Sequence, residues 1–281
     1  MPPPFSLLSL LKPSAPLGIV DVGASFVDDP PPYQPLLDAG AARLTGFEPN
    51  EEECTKLRGR FGAPHRFYPY FIGDGAAAVF RETNWFATGS VFVPNKKLLE
   101  KFQYLHELMT LVAEHPIETR RLDDIPDLGD VDFLKLDVQG AELMVLQGAE
   151  RTLKSVVMIQ VEVEFLELYE NQPLFADVDR YLRSQDFMFH TFRGFGSRCV
   201  KPIIKNGDRT QGENQYLWSD AVYVRNWLDT ASIPAGKLAG FALLLHDLMG
   251  SVDLANHALE RLDAATGSRH APAYRKKLMG Q

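Results

Sequence analysis

The chain has 281 residues, of which 45% are hydrophobic and 23% charged, a composition typical of a globular protein with a sizeable core. Its 29 Lys and Arg against 37 Asp and Glu give a net charge of −8, which disfavours nucleic-acid binding because such a surface repels phosphates. The two cysteines, Cys54 and Cys199, cannot form a disulfide framework or a clustered zinc site. We therefore expect free thiols in a reducing compartment.

The first apolar stretch, residues 5–11, follows three prolines instead of the basic region that is typical of a secretory signal. No apolar run approaches the ~20 residues that a membrane-spanning helix needs. These features predict a cytoplasmic protein with no membrane partner.

Short apolar runs alternate with longer amphipathic segments, a pattern that predicts an α/β fold with a mostly parallel sheet flanked by helices. Seven strands are predicted at residues 19–22, 44–47, 65–71, 132–136, 156–163, 187–192 and 217–224. Helical periodicity predicts helices over residues 95–112, 141–152 and 175–184.

Two further strand-like segments, residues 77–81 and 117–121, bracket the first of these helices. They indicate an insertion around residues 76–121, and insertions between main strands commonly shape a pocket. The chain then divides into an N-terminal extension (1–18), a main domain containing this insertion (19–230) and a C-terminal appendage (231–281).

The appendage is predicted to hold a pair of amphipathic helices, residues 238–249 and 252–265. Two short helices cannot bury both apolar stripes against each other alone. The stripes must pack on the body of the same chain or on a second subunit, so a homodimer is one of two open alternatives.

The first chemical motif runs from Asp21 through Gly23 and Ala24 to Ser25, directly after an apolar strand. A glycine at the carboxyl end of a strand lets the backbone turn tightly and approach a nucleotide-like ligand. The repeated glycines of a dinucleotide loop and a phosphate-binding Gly-Lys-Ser or Gly-Lys-Thr loop are missing. A plain turn is the alternative interpretation.

The second motif, Glu48-Pro49, ends the second strand 25 residues after Gly23. This is close to the ~20-residue offset at which a carboxylate accepts hydrogen bonds from ribose hydroxyls. Because no phosphate loop accompanies it, S-adenosyl-L-methionine fits this pair better than NAD does. The alternative role of Glu48 is a cap for the following helix. An adenine pocket is predicted at the end of the third strand, at Ile72, Gly73 and Asp74.

The third motif is the most specific, because the strand Phe133-Leu134-Lys135-Leu136 delivers Asp137 at its carboxyl end and Gly140 opens a helix. Together, Asp-x-Gly-Ala, Phe-Glu-Pro-Asn, Lys-x-Asp-x-x-Gly-x-Glu, the strand Val-Glu-Val-Glu and the strand Trp-Ser-Asp-Ala-Val-Tyr-Val resemble the FkbM family of S-adenosylmethionine-dependent methyltransferases. The resemblance runs from about residue 19 to residue 225.

The resemblance implies a Rossmann-like class I methyltransferase sheet of seven strands, the last of them antiparallel, followed here by the C-terminal helical pair. It places residues of the first two motifs along S-adenosyl-L-methionine, and Lys135, Asp137 and Glu142 in the signature site. Two positions depart from the family pattern, because Ser25 stands where Asn is common and Gln139 where Glu is usual. The residues predicted to bind the cofactor are Asp21, Gly23, Ala24, Ser25, Glu48, Pro49, Ile72, Gly73, Asp74 and Asp137.

Methyl transfer to oxygen requires alignment of the acceptor and a group that takes the hydroxyl proton. Asp137 is the first candidate for this base, and Glu162 and Glu164 on the fifth strand are the second. Lys135 is expected in the same site, paired with a carboxylate, and the spacing identifies no set of metal ligands. The leading hypothesis is an O-methyltransferase, with an NAD-dependent oxidoreductase or a non-catalytic scaffold as alternatives.

Two segments are predicted to form the acceptor pocket. Residues 83–90 offer aromatic faces and hydroxyls, which suit a small molecule or a carbohydrate. Residues 193–216 carry five basic and two acidic side chains, so an anionic acceptor is one option and a hydrated loop the other. His106 and His115 in the insertion are expected to lie on the surface.

Overall fold

A seven-stranded sheet organises the chain in the computed structural model, which describes residues 5–11, 13, 15–25, 30–229 and 232–280. The strands of this sheet are β1 (Leu17–Val22), β2 (Ala42–Phe47), β3 (Arg66–Tyr68), β6 (Phe133–Leu136), β7 (Met158–Glu164), β8 (Phe187–Ser197) and β9 (Tyr216–Arg225). Two further strands, β4 (Ala77–Thr83) and β5 (Leu111–Glu118), form a separate two-stranded sheet. The sheet order is β3-β2-β1-β6-β7-β9-β8, and β9 runs antiparallel to both of its neighbours. This confirms the predicted methyltransferase-type sheet.

Helices cover both faces of the sheet. They are α1 (Gln34–Asp38), α2 (Glu51–Phe61), α3 (Lys96–Leu99), α4 (Leu105–Leu108), α5 (Glu142–Gln147), α6 (Phe175–Ser184), α7 (Ala235–Leu243), α8 (Val252–Thr266) and α9 (His270–Leu278). Helix α6 has the predicted bounds, whereas α5 is shorter than predicted and ends at Gly148, where a side chain would meet the Gly73 carbonyl oxygen. No helix in the described ranges has the length and apolar content that crossing a membrane requires.

The helix predicted over residues 95–112 is wrong. The structure has two short helices, α3 and α4, and then the strand β5, which pairs antiparallel with β4. Tyr104 interrupts the helical path because it adopts a left-handed conformation with φ 67°. The apolar spacing that suggested one helix instead buries Leu99, Phe102 and Leu105 in a small separate core. The two strand-like segments of the predicted insertion do pair, but β5 begins earlier than predicted.

The C-terminal helices pack on the sheet of the same chain. Phe241 and Leu245 share a buried core with Leu17, Phe133 and Val222 of the sheet. The residues next to Phe133 and Val222 along their strands belong to the core on the opposite face of the sheet. A five-residue π-helical segment (Leu244–Leu248) extends α7, and α9 is a third helix beyond the predicted pair. The apolar stripes thus find their partner within one chain, while the homodimer stays a prediction. The proposed boundary at residues 230 and 231 lies outside the described residues.

The N-terminal segment is held by this same helical layer. The Leu7 backbone N–H donates to Asp247 Oδ1 at 2.8 Å, and His246 Nε2 lies 2.7 Å from the Phe5 carbonyl oxygen. The described parts of the predicted extension and appendage therefore contact each other on one side of the sheet.

We expect Phe241→Ala to lower the free energy of unfolding by about 3–5 kcal/mol, because this side chain is 1% exposed and its removal leaves a cavity. Met279→Ala, in the same appendage but 65% exposed, should change it by less than about 0.5 kcal/mol. Urea unfolding of both variants measures the difference. Equal, small losses would show that the C-terminal helices do not belong to the cooperative core.

Candidate active site

The carboxyl ends of the parallel strands β1, β2, β6 and β7 meet at one edge of the sheet, where open α/β folds bind their ligands. A cavity of about 710 Å³ lies at this edge. Loops after these strands form its floor. The antiparallel pair of β4 and β5, called the hairpin below although residues 84–110 separate its strands, covers it.

The turn after β1 depends on Gly23. Its φ of 81° is left-handed, and a Cβ atom there would lie 1.9 Å from the Asp137 carbonyl oxygen. Its N–H donates to the Phe47 carbonyl oxygen at 3.0 Å. Only a glycine lets the loops after β1 and β6 come this close.

Glu48 lies at the cavity wall directly after β2. Its Oε1 accepts a hydrogen bond from the Asn50 backbone N–H at 2.8 Å, and Asn50 itself caps α2 by accepting from the N–H groups of Glu52 and Glu53. The cap is therefore Asn50, not Glu48. Burial raises the pKa of the Glu48 carboxyl above its ordinary value.

Lys135 bridges two carboxylates of neighbouring strands. Its Nζ lies 3.4 Å from Asp21 Oδ1 and 3.7 Å from Asp137 Oδ2, and the Tyr33 hydroxyl donates to the other Asp21 oxygen. Burial opposes the charge of Lys135, but Asp21, Asp137 and further carboxylates outweigh it and raise the pKa of Lys135. Lys135 therefore stays a cation that positions carboxylates.

Gln139 joins the carboxylates that face the cavity. Its Nε2 donates to Asp137 Oδ1 at 3.0 Å and to Glu162 Oε2 at 2.7 Å, and its Oε1 accepts from the Tyr169 hydroxyl at 3.1 Å. Both amide protons are used, so Gln139 fixes the two carboxyl groups side by side. Burial and the nearby Asp137 raise the pKa of Glu162 well above its ordinary value, which favours its protonated form.

Glu142 shapes the loop between β6 and α5. Its Oε1 accepts hydrogen bonds from the Val138 N–H at 2.8 Å and the Gly140 N–H at 3.3 Å. The side chain is buried, and this burial raises the pKa of Glu142 to about 7. Glu142 therefore supports the loop that presents Asp137.

The predicted site residues fall into two groups. The cavity is lined by Gly23, Ser25, Glu48, Pro49, Ile72, Asp137 and Glu162. Outside that lining lie the buried residues Asp21, Ala24, Gly73 and Glu164, the partly buried Lys135, and Asp74, which is exposed. The roles of all of them remain predictions.

Sequence reasoning missed the inner face of the hairpin. Glu82 and His115 line the cavity, and His115 Nε2 lies 2.8 Å from Glu82 Oε2. Phe80 and Ile117 share this face, which follows from the cross-strand register. His115 falls between the predicted helix (95–112) and the predicted strand (117–121), and a two-residue alternation along β5 was the signal that could have found its place.

We expect the protein to lose thermal stability as the pH rises from about 4.5 to about 7, relative to the variant Glu142→Gln. The folded-state pKa of Glu142 is raised, so its stabilising contribution is complete below the unfolded pKa and is lost as the pH passes the folded pKa. Gln keeps an oxygen that accepts both N–H donors. Melting temperatures of the two proteins between pH 4.5 and 8 test this, and parallel curves would contradict it.

Comparison with known proteins assigns the family. Residues 21–189 match the methyltransferase FkbM domain, a stretch that contains every predicted site residue. The chain is also 30% identical over 187 residues to the 2-O-methyltransferase NoeI of Sinorhizobium fredii (strain NBRC 101917 / NGR234), which covers 62% of this chain and 74% of that protein. No solved structure gives a significant match. These matches do not favour an oxidoreductase or a scaffold, and the chain belongs to the FkbM methyltransferase family.

Proposed function

We propose that this methyltransferase uses S-adenosyl-L-methionine to methylate a hydroxyl group of a small molecule or carbohydrate. The observation that carries the proposal is the pair Asp137 and Glu162, held together by Gln139 in the same cavity as the Gly23 turn and Glu48. The similar protein NoeI is a 2-O-methyltransferase, which supports transfer to oxygen.

The cavity fits the cofactor that the family implies. Gly23 leaves the turn after β1 without a side chain, Glu48 offers carboxylate oxygens to ribose hydroxyls, and Ile72 supplies an apolar wall. When bound, the cofactor supplies an electrophilic methyl group on a sulfonium. The carboxylates of Glu48 and Asp137 favour a cationic ligand electrostatically.

Asp137 is the group we assign to the acceptor proton. Lys135 approaches one of its oxygens at 3.7 Å and Gln139 Nε2 approaches the other at 3.0 Å, so the carboxylate is oriented before a ligand arrives. Glu162 is the poorer base, because its raised pKa favours the form that already carries a proton. Lys135 is a cation and cannot accept a proton either. In this role Asp137 receives the hydroxyl proton on a carboxylate oxygen while the hairpin shields the site from water.

The walls of the cavity suit a sugar ring. Trp85 and Phe86 present exposed aromatic faces, and Glu82 and His115 offer polar groups in the same lining. Aromatic faces stack on the apolar side of a sugar while polar groups contact its hydroxyls. Carbohydrates are therefore the acceptor class we favour among small molecules.

We expect Glu48→Ala to weaken binding of S-adenosylhomocysteine by about 1.5–3 kcal/mol, because two ribose hydroxyls lose their acceptor. Isothermal calorimetry measures the affinity. Glu52→Ala removes the same charge from an exposed position on α2 and serves as the control. If Glu48→Ala binds as tightly as the parent, the ribose assignment is wrong.

We expect Asp137→Asn to lower turnover by about 10²-fold or more while S-adenosylhomocysteine still binds, because the amide cannot accept the proton as a carboxylate does. Release of S-adenosylhomocysteine is followed on a panel of monosaccharides and their methyl glycosides. Unchanged turnover, together with a loss in Glu162→Gln, would move the base to Glu162. Lost cofactor binding would instead make Asp137 a binding residue.

A further inference from the structure

One basic side chain of the segment 193–216, that of Arg198, lines the cavity. Arg193 donates to the Leu248 carbonyl oxygen, Lys205 pairs with Glu213 at 3.3 Å, and Arg209 pairs with Glu107. Arg198 lines the cavity and is the one Lys or Arg among the described residues that do so.

The positive charge of the Arg198 guanidinium has few protein partners. It lies over the Trp218 ring at 5.3 Å from the centroid, and Nη1 donates to the Ser197 carbonyl oxygen at 2.8 Å. Its buried Nε has no hydrogen-bond partner among the described residues, and burial lowers the pKa of Arg198. Arg198 is partly buried and takes part in no ion pair among the described residues, so its guanidinium can gain an anionic partner when a ligand binds.

Arg225 shows what a purely structural arginine looks like in this fold. It is 7% exposed, and its guanidinium donates to the carbonyl oxygens of Leu153, Val156 and Gln185. Those carbonyl groups compensate its charge, and the carboxylate of Asp186 adds to this. The contrast indicates that Arg198 has donor capacity that the fold itself does not use.

Arg198 also lies apart from Asp137 in the sheet. It follows β8, whereas Asp137 follows β6, and the strands β7 and β9 lie between these two in the sheet order. Trp218, beneath the guanidinium, pairs in register with Glu164, two residues beyond Glu162 on β7. The cavity therefore has an acidic floor and one basic corner farther along the same strands.

We propose that Arg198, held over the Trp218 ring, binds an anionic substituent of the acceptor, a carboxylate or a phosphate on a sugar. This rests on the proposed function. The planar guanidinium matches either group through two parallel hydrogen bonds, and the Trp218 ring beneath it helps to hold it in position. The hydroxyl to be methylated then lies toward Asp137, separated from the anion by the ring.

The test is calorimetric titration of the full chain loaded with S-adenosylhomocysteine, using glucose 6-phosphate, glucuronate and glucose as probes. The parent should bind at least one anionic probe about tenfold or more tightly than glucose, and the preferred probe distinguishes phosphate from carboxylate. Arg198→Gln should abolish this preference without changing glucose affinity. Arg198→Lys, which keeps the charge but loses the fork, should retain part of it.

Lys201→Gln is the matched control, because it removes one positive charge from the same segment at an exposed position outside the cavity. It should leave the anion preference intact. A parent protein that binds neither anionic probe better than glucose overturns the proposal, as does an equal preference in Arg198→Gln. Affinity for S-adenosylhomocysteine is measured first in every variant, since failure of the parent to bind it counts against the proposed function instead.

Discussion

The buried ammonium group of Lys135 connects the two strands on which the site depends. Its Nζ lies between Asp21 on β1 and Asp137 after β6, at 3.4 and 3.7 Å. A buried carboxylate such as Asp21, which is 1% exposed, is costly unless a cation or hydrogen-bond donors compensate it. Lys135 and the Tyr33 hydroxyl supply that compensation. The register of β1 against β6, which places the Gly23 turn against the Asp137 backbone, therefore agrees with the charge pattern of the strands.

An uncharged side chain, that of Gln139, makes the second contact on which the site depends. Gln139 takes a left-handed conformation, with φ 57°, and its amide reaches both Asp137 and Glu162 while Tyr169 donates to its oxygen. A carboxylate at this position could not donate to two other carboxylates, and three acidic groups would repel one another. The amide thus lets two acidic side chains stand together at the cavity, and the departure from the family pattern at this position has a physical function in this chain.

The sequence predicted the sheet and the ends of its strands better than it predicted the covering elements. Parallel strands that are buried on both faces are short continuous apolar runs, and their carboxyl ends must meet at one edge, which brought Gly23, Glu48 and Asp137 together. The segment after residue 95 gave a helical spacing because Leu99, Phe102 and Leu105 pack in a local core of short turns. Nothing local in the sequence marks the left-handed Tyr104 that ends this path.

The C-terminal helices show the same limit in another form. Their apolar stripes predicted two amphipathic helices, but a stripe specifies only that something apolar covers it. The partner is the sheet face that contains Leu17 and Phe133, and it became evident only when the strand alternation was set in three dimensions. Long-range packing of this kind depends on the shape of both surfaces, which periodicity does not encode.

The distribution of charge in the cavity affects both ligands of the proposed function, the sulfonium cofactor and the acceptor. Four carboxyl groups, from Glu48, Glu82, Asp137 and Glu162, line it against the single guanidinium of Arg198 among the described residues, and the raised pKa of Glu162 leaves the negative charge to the other three. Such an excess of negative charge stabilises a sulfonium more than the neutral thioether that remains after methyl transfer, so it favours exchange of spent cofactor. The same field repels an anionic acceptor everywhere except beside Arg198. A negatively charged sugar would thus enter in one orientation, with its anion held at the basic corner and its opposite edge toward Asp137.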